Sequence, residues 1–431
     1  MKMSRGTVHT GARGVGELIL PATLWLLVLL TLIGRPAPTS VGVVEVLLAA
    51  TVIGVMLAMC VRVLLRRPLP ISETHRSILA ILGLYCLSFL GAFVVGVSQG
   101  VGIGDAFRAS VPYLIFVPLV LAAPVLSARN LEPAIRGALT AVGTLQALYL
   151  IGLFIVVTPN LTDVQSLLLH RTTFLDSRTT VPLFLASCIL PLHWMFDGRT
   201  FLVRGGSAVL VAASIAGALS TQTRSQVIAI ACGVATYVTL RALLSVIHGG
   251  TSIARPIMKA ALAIVVVTVV AGTAFMAVKP LRTMVETVVS RSGTDQDNGR
   301  IDDEWRPAVR RVLHAGLVNL ALGIGAGERF ITAGGEERPY VHNLVIYLLV
   351  FNGAVGLLMG GALYAVILIA LLHGASKSGG QVLGAYAALL TALFVYAQFF
   401  AVHKLFSYNL MLALITIVAL PPMQLRRLNS R

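Results

Sequence analysis

Apolar and polar positions in this chain alternate on the scale of whole membrane spans. Long apolar runs recur at about 17–34, 41–65, 77–97, 108–127, 134–158, 179–197, 205–220, 225–247, 258–278, 344–372, 379–402 and 405–421. Runs near twenty residues cross about 30 Å of hydrocarbon at about 1.5 Å per residue. Backbone in lipid must satisfy its own hydrogen bonds, so the pattern predicts about twelve transmembrane helices; the short alternating segments of a barrel are absent. Prolines 21, 112, 118, 124, 182 and 191 fall inside these runs, where membrane helices accommodate them as kinks. The run 344–372 is long for one span and is interrupted at Asn352-Gly353, which predicts a short interfacial helix leading into the span, or a strong tilt.

One long polar interval, 279–343, breaks the pattern and divides the chain into an N-terminal bundle (1–278), a loop (279–343) and a C-terminal bundle with its tail (344–431). The loop holds nine of the chain's 17 acidic and nine of its 33 basic residues. Its segment 291–299 is turn chemistry. A helix follows, with Asp302 or Asp303 able to cap it and Pro307 in its first turn. Trp305, Val309, Val312, Leu313, Leu317 and Leu320 form an apolar stripe, with Arg306, Arg310, Arg311 and His314 largely off it. Such a helix lies on a membrane surface or caps a bundle. Gly323-x-Gly325-x-Gly327 is no dinucleotide fingerprint, because the third glycine comes too early and a helix precedes it; it reads as a flexible turn folding the loop back. Asp295-Gln296-Asp297 has the look of a carboxylate metal pair, a match that arises easily in an acidic stretch. The loop closes on Tyr340-Val341-His342-Asn343, and a histidine at the membrane boundary is able to accept a proton near neutral pH.

Composition agrees with a bilayer environment. The chain is 57% hydrophobic and 12% charged, with mean hydropathy +0.89, where soluble domains carry about 25% charged residues. A net charge of +16 raises nucleic-acid binding, but the basic residues are scattered between apolar runs and form no basic face. They read instead as topology signals. With both termini cytoplasmic, 18 Lys and Arg fall on the inner side and six (Arg35, Arg108, Arg171, Arg178, Arg224, Lys404) in short outer loops, which puts 279–343 outside. The basic stretch 1–16 is then a cytoplasmic tail rather than a removed peptide. Cys60, Cys86, Cys188 and Cys232 all lie in apolar runs and read as packing residues.

Four stretches together resemble the O-antigen ligase / O-antigen polymerase family of bacterial membrane glycan transferases: HRTTFLDSRTTVPLFLA (170–186), ALSTQTRSQVIAIA (218–231), NGRIDDEWRPAVRRVLHAGLVNLALGIGAGERF (298–330) and VHNLVIYLLVFNGAVGLLMG (341–360). The last, a His-Asn opening with Gly-x-x-Gly in the following span, is the most specific. The family's Ser-Arg pair stands here as Thr223-Arg224-Ser225, and Thr173 takes the place of a small residue before Phe174. The resemblance implies an all-α polytopic bundle in the bacterial inner membrane, akin to membrane glycosyltransferases. It also implies a polyprenyl-diphosphate-linked glycan donor, a lipid or glycan acceptor, and metal-independent, cofactor-free chemistry on the extracytoplasmic face. It assigns catalysis to His342, Arg224 and Arg300, and substrate binding to Arg171, Arg178, Arg306 and Asn343. Arginine suits the diphosphate, which it binds bidentately. Ligase and polymerase differ in acceptor and share these motifs.

Two readings compete. A lipid or solute transporter predicts ionisable residues within spans, for which Glu45 is the main candidate and Arg62 lies near a helix end. A non-catalytic scaffold makes the coincident His, Arg and Gly motifs accidental.

Overall fold

The computed structural model describes residues 15–33, 43–65, 73–122, 131–157, 181–221, 223–248, 300–378 and 381–420. The expected span 258–278, Arg171, Arg178, the turn 291–299 with its Asp295–Asp297 pair, and both tails lie outside them. The helices are α1 (Val15–Ile33), α2 (Val43–Leu65), α3 (Glu73–Ser98), α4 (Ile103–Leu114), α5 (Val117–Ala122), α6 (Leu131–Val157), α7 (Leu183–Ile189), α8 (Leu192–Asp197), α9 (Phe201–Ser220), α10 (Arg224–Ile247), α11 (Arg306–His314), α12 (Leu317–Leu322), α13 (Leu344–Ser378), α14 (Gln381–Phe399) and α15 (Phe406–Ala419). A π turn (Ile301–Trp305) precedes α11, and a 3-10 turn (Ala401–Lys404) joins α14 to α15. Two short strands, β1 (Phe330–Ile331) and β2 (Glu337–Arg338), pair antiparallel. This is an all-α membrane-type bundle. Among the described residues, seven helices are long and apolar enough to cross a membrane: α3, α4 with α5, α6, α9, α10, α13 and α14. The expected runs at α1, α2, α7 with α8, and α15 contain shorter apolar helices.

α7 and α15 form the centre. Both are predominantly apolar with no charged residue, and a helix without a solvated polar face belongs in an interior. Every residue of α7 is buried, and so is all of α15 except Val418. Around them α14 packs along α10, α13 along α3, and α9 along α6. α14 measures about 28 Å at about 1.5 Å per residue, and its two ends mark opposite faces of the bundle. At Gln381 it meets Arg241, which also pairs with Asp197 at 2.6 Å. At the other end, Phe399 and Gln398 meet the loop that carries His342.

The described part of that loop, 300–343, is not slack. The glycine run is a rigid wedge rather than the flexible turn its sequence suggests. Ile324 N–H donates to the Val350 carbonyl at 2.8 Å, and Ala326 N–H to the Ala92 carbonyl at 2.7 Å. Both Ile324 and Ala326 are buried. The break in α13 is at Gly353 (φ 68°), within the turn that normally occupies the Val350 carbonyl. At Gly325 (φ 93°) a Cβ would come within 2.3 Å of the Gly96 backbone nitrogen, so the chain there accepts only glycine.

The amphipathic loop helix exists, but its buried face differs from the expected stripe. Glu304, Ala308 and Val312 point inward at i, i+4, i+8, while Leu313, Leu317 and Val318 are exposed. The exposed apolar side suits contact with a bilayer surface. Neither aspartate caps the helix. Asp302 pairs with Arg306, and Asp303 accepts from Gly334 N–H at 2.8 Å, holding the β1–β2 turn.

Candidate active site at the loop end of the bundle

His342 sits where four pieces of chain converge: the π turn, β2 with its exit, the start of α13, and the 3-10 turn. Its closest partner is Glu304. The carboxylate accepts the His342 backbone N–H at 2.6 Å (Oε1), and Nδ1 lies 2.9 Å from Oε2. Glu304 is 1% exposed as a side chain and His342 19%. A buried carboxylate next to an imidazole favours the tautomer with the proton on Nδ1. Nε2 is then the lone-pair nitrogen, available to take a proton from a bound hydroxyl.

Glu304 enters this position because the π turn sets it in register with Ala308 and Val312, on the face packed against the bundle. Its second neighbour is Arg338, 3.6 Å from Oε2 and also 2.6 Å from Glu336. The Glu336 hydrogen bond, opposed by partial burial and supported by the Glu304 charge, raises the Arg338 pKa further, so this guanidinium stays charged. The ring of His342 meets Tyr340 edge-on at 5.2 Å and Phe400 at 5.9 Å, which limits its orientation.

Asn343, expected to bind substrate, caps α13. Its Oδ1 accepts from Ile346 N–H at 3.0 Å, and its Nδ2 donates to the Gln398 carbonyl at 3.1 Å. It therefore ties the first turn of α13 to the end of α14, beside the catalytic candidate. Arg300 reaches the same helix end and donates from Nη1 to the Phe399 carbonyl at 2.7 Å. Arg306 is spent on Asp302 at the surface, both side chains more than half exposed. Arg224 opens α10, and its side chain lies outside the described residues. The neighbouring Gln226 donates to the Tyr396 hydroxyl at 3.1 Å. Tyr396 stacks on Phe400, which touches His342, so the start of α10 belongs to the same end of the bundle.

Four participants were not singled out from sequence as site residues: Glu304, Arg338, His403 and Lys404. Lys404 Nζ sits 3.1 Å from the centroid of the Tyr340 ring. Burial pushes its ammonium pKa down to about 8, opposed by the Glu304 charge. His403 is fully buried, with its ring 4.7 Å from Tyr347 and no hydrogen-bond partner for either ring nitrogen among the described residues. Burial, with lesser contributions from Lys404 and His342, holds its pKa well below the usual imidazole value. The signal in the sequence was the tetrapeptide AVHK, two ionisable residues in a turn between two apolar runs.

An apolar groove of about 790 Å³ runs between α2, α3 and α4. Val46, Leu90, Phe93 and Phe107 are among its walls, Arg108 lies at its lining, and Phe406 borders it two residues after Lys404. α4 also packs against the 3-10 turn, so groove and histidine site adjoin. Among the described residues, no three His, Cys, Asp or Glu side chains gather as a metal-ligand set.

No protein-family model matches this chain, and no curated protein matches it.

Proposed function

We propose that the protein is a polytopic membrane glycosyltransferase that moves a glycan from a polyprenyl-diphosphate donor to an acceptor hydroxyl. The observation that carries this reading is the Glu304–His342 pair, with Nδ1 2.9 Å from Oε2, set among Arg300, Arg338 and Lys404 at one end of a lipid-soluble bundle. The acceptor hydroxyl attacks the anomeric carbon as its proton passes to His342 Nε2. The bond from that carbon to the diphosphate breaks, and the leaving group departs with the electron pair. Glu304 fixes the tautomer and stabilises the imidazolium that forms. Cations at the membrane surface stabilise the departing diphosphate, the larger electrostatic demand. The apolar groove beside the site suits a substrate with a hydrocarbon tail.

In this reading the chain has about twelve spans in a bacterial inner membrane. Both termini are cytoplasmic and 279–343 forms an extracytoplasmic loop, as the distribution of basic residues favours. Arg224, Arg171 and Arg178 then face the same compartment as His342. The acceptor is another lipid or envelope component for a ligase, or a second lipid-linked glycan for a polymerase.

The test is direct. Purified protein in lipid nanodiscs is incubated with a defined polyprenyl-diphosphate glycan and candidate acceptors, and products are resolved by mass spectrometry. Transfer by the native protein and its loss in folded His342→Ala supports the proposal. Substrate flux in proteoliposomes with no glycan product, unaffected by His342→Ala, favours transport instead.

A further inference from the structure

Lys404 has a place in the site that the charges around it do not explain. Arg338 is committed to Glu336 and Glu304, Arg306 to Asp302, and Arg311 to Glu328. Arg300 is held by the Phe399 carbonyl. Lys404 has no carboxylate within ion-pair distance among the described residues, although it is largely buried. Among the described residues its close partner is the face of Tyr340, at 3.1 Å. A lysine head taken from water with a ring as its partner carries a desolvation cost that an arriving anion offsets.

The location narrows the anion. Tyr340 contacts the His342 ring, so an anion on Lys404 lies next to the group that takes the acceptor proton. Phe406, two residues on, borders the apolar groove. A ligand with its charge at Lys404 and its hydrocarbon in that groove is an amphiphile with an anionic head. His403, buried on the same turn and without a hydrogen-bond partner among the described residues, adds a second polar group next to the cation in the chain.

Resting on the transferase reading above, we infer that Lys404 receives the phosphate end of the lipid-linked donor, holding the leaving group beside His342. Among the described residues, the other titratable and charged groups around the turn are Glu304, Tyr340, His342, Arg338 and Arg300 from the loop, Tyr347 on α13, Tyr396 on α14, and His403 on the turn itself. Asp105 and Arg108 on α4 are paired with each other. Lys404 loses its proton near pH 8, so the site holds an anion most tightly below that pH.

The experiment measures binding of farnesyl diphosphate to the full chain in nanodiscs between pH 6.5 and 9.5, with farnesol as the head-free control. Native protein, Lys404→Met and Lys404→Arg are compared, each checked for folding by circular dichroism and size exclusion. The native protein is expected to prefer the diphosphate and to lose affinity as pH rises through about 8. Lys404→Met lowers affinity about tenfold or more at pH 7 and removes the pH dependence. Lys404→Arg keeps most of the affinity with a flat profile, because guanidinium stays charged. Equal affinity in native protein and folded Lys404→Met overturns the inference, and so does equal binding of farnesol and the diphosphate. Lys404-dependent binding without glycan transfer from any donor leaves Lys404 as an anion site and removes the transferase reading. Glycan transfer with an unchanged KM in Lys404→Met does the reverse.

Discussion

Glu304 and His342 are 38 residues apart in the chain and are joined twice, once through the His342 backbone N–H at 2.6 Å and once through Nδ1 at 2.9 Å. The carboxylate thus fixes both the position of the residue and the orientation of its ring. Because Glu304 is almost fully buried, the pair is shielded from solvent competition. The contact closes the loop on itself, and Arg300 and Asn343 on either side of it tie the loop to the end of α14.

If the protein is the transferase proposed, both members of the pair are expected to be needed for transfer. His342→Ala removes the proton acceptor and is expected to lower kcat by about 10²–10⁴. Glu304→Gln keeps the shape but presents a neutral amide to Nδ1, and a loss of the same order is expected if the carboxylate sets the tautomer. Single-turnover transfer rates check this, and a Glu304→Gln protein with the native rate removes Glu304 from the mechanism.

Asn343 contributes through position. Asn343→Ala loses the α13 cap, worth about 1 kcal/mol, and also the tie to the Gln398 carbonyl. Asn343→Asp keeps the cap acceptor and loses the donated bond. Both variants are expected to unfold at lower temperature than the native protein, Asn343→Ala by more, with Asn343→Asp retaining part of the activity. Thermal melts in detergent separate them, and unchanged melting in Asn343→Ala sinks the assignment.

The glycine wedge makes a sharp stability prediction. Gly325→Ala places a methyl within 2.3 Å of the Gly96 backbone, whereas Gly316, also at positive φ (93°), has open space around it. Gly316→Ala bears the backbone strain alone, about 1–3 kcal/mol. Gly325→Ala adds a backbone collision and is expected to melt well below Gly316→Ala, or to detach the loop from α3. Limited proteolysis of the loop reads the second outcome, and equal stability of the two variants contradicts the wedge.

The sequence carried the all-α, membrane-type class because lipid solvent enforces it: apolar runs, not local propensities, set where helices form. It also marked His342 and the loop helix. It did not reveal Glu304, because its neighbours Asp302 and Asp303 look equivalent in a string, and a π turn decides which carboxylate faces inward. The apolar stripe held at Val312, with Trp305 and Leu320 packed against the core, and failed at Leu313 and Leu317; Leu317 lies past the chain reversal at Gly316 (φ 93°) and is 84% exposed. Nor did the Gly-x-Gly-x-Gly spacing disclose that its backbone docks on α3 and α13. That depends on Gly96, unremarkable alone, and on Gly353, which the sequence marked as a break in the span without showing what docks there.

Arg300 and Arg306 are six residues apart and make opposite contacts, one with the α14 terminus and one with solvent and Asp302. Exposed ion pairs contribute about 0–1 kcal/mol. Arg306→Ala is therefore expected to leave transfer within about twofold and stability nearly unchanged. Arg300→Ala is expected to cut transfer at least about tenfold, with Arg300→Lys recovering part of it. A larger loss of transfer in Arg306→Ala than in Arg300→Ala would place the diphosphate on the other side of the π turn.

Lys404 links the site to stability through pH. In the folded chain its pKa is pushed down to about 8, against about 10.4 for an unfolded lysine. Between these values the unfolded chain binds more protons, so stability rises with pH across that window. Below about pH 8 the full cost of the buried charge is present. Lys404→Met removes it, so the variant is expected to melt above the native protein at pH 7. The gap should shrink from pH 8 upward and close near pH 10.4. Paired melting curves at several pH values isolate Lys404, because every other titrating group is shared. A gap that stays constant with pH would assign the gain to packing of the methionine. A native protein more stable than Lys404→Met at pH 7 would show that Tyr340 and Glu304 already compensate the ammonium. The expected pattern is a residue that costs the empty protein stability and repays it when an anion binds, the trade that functional sites make with stability.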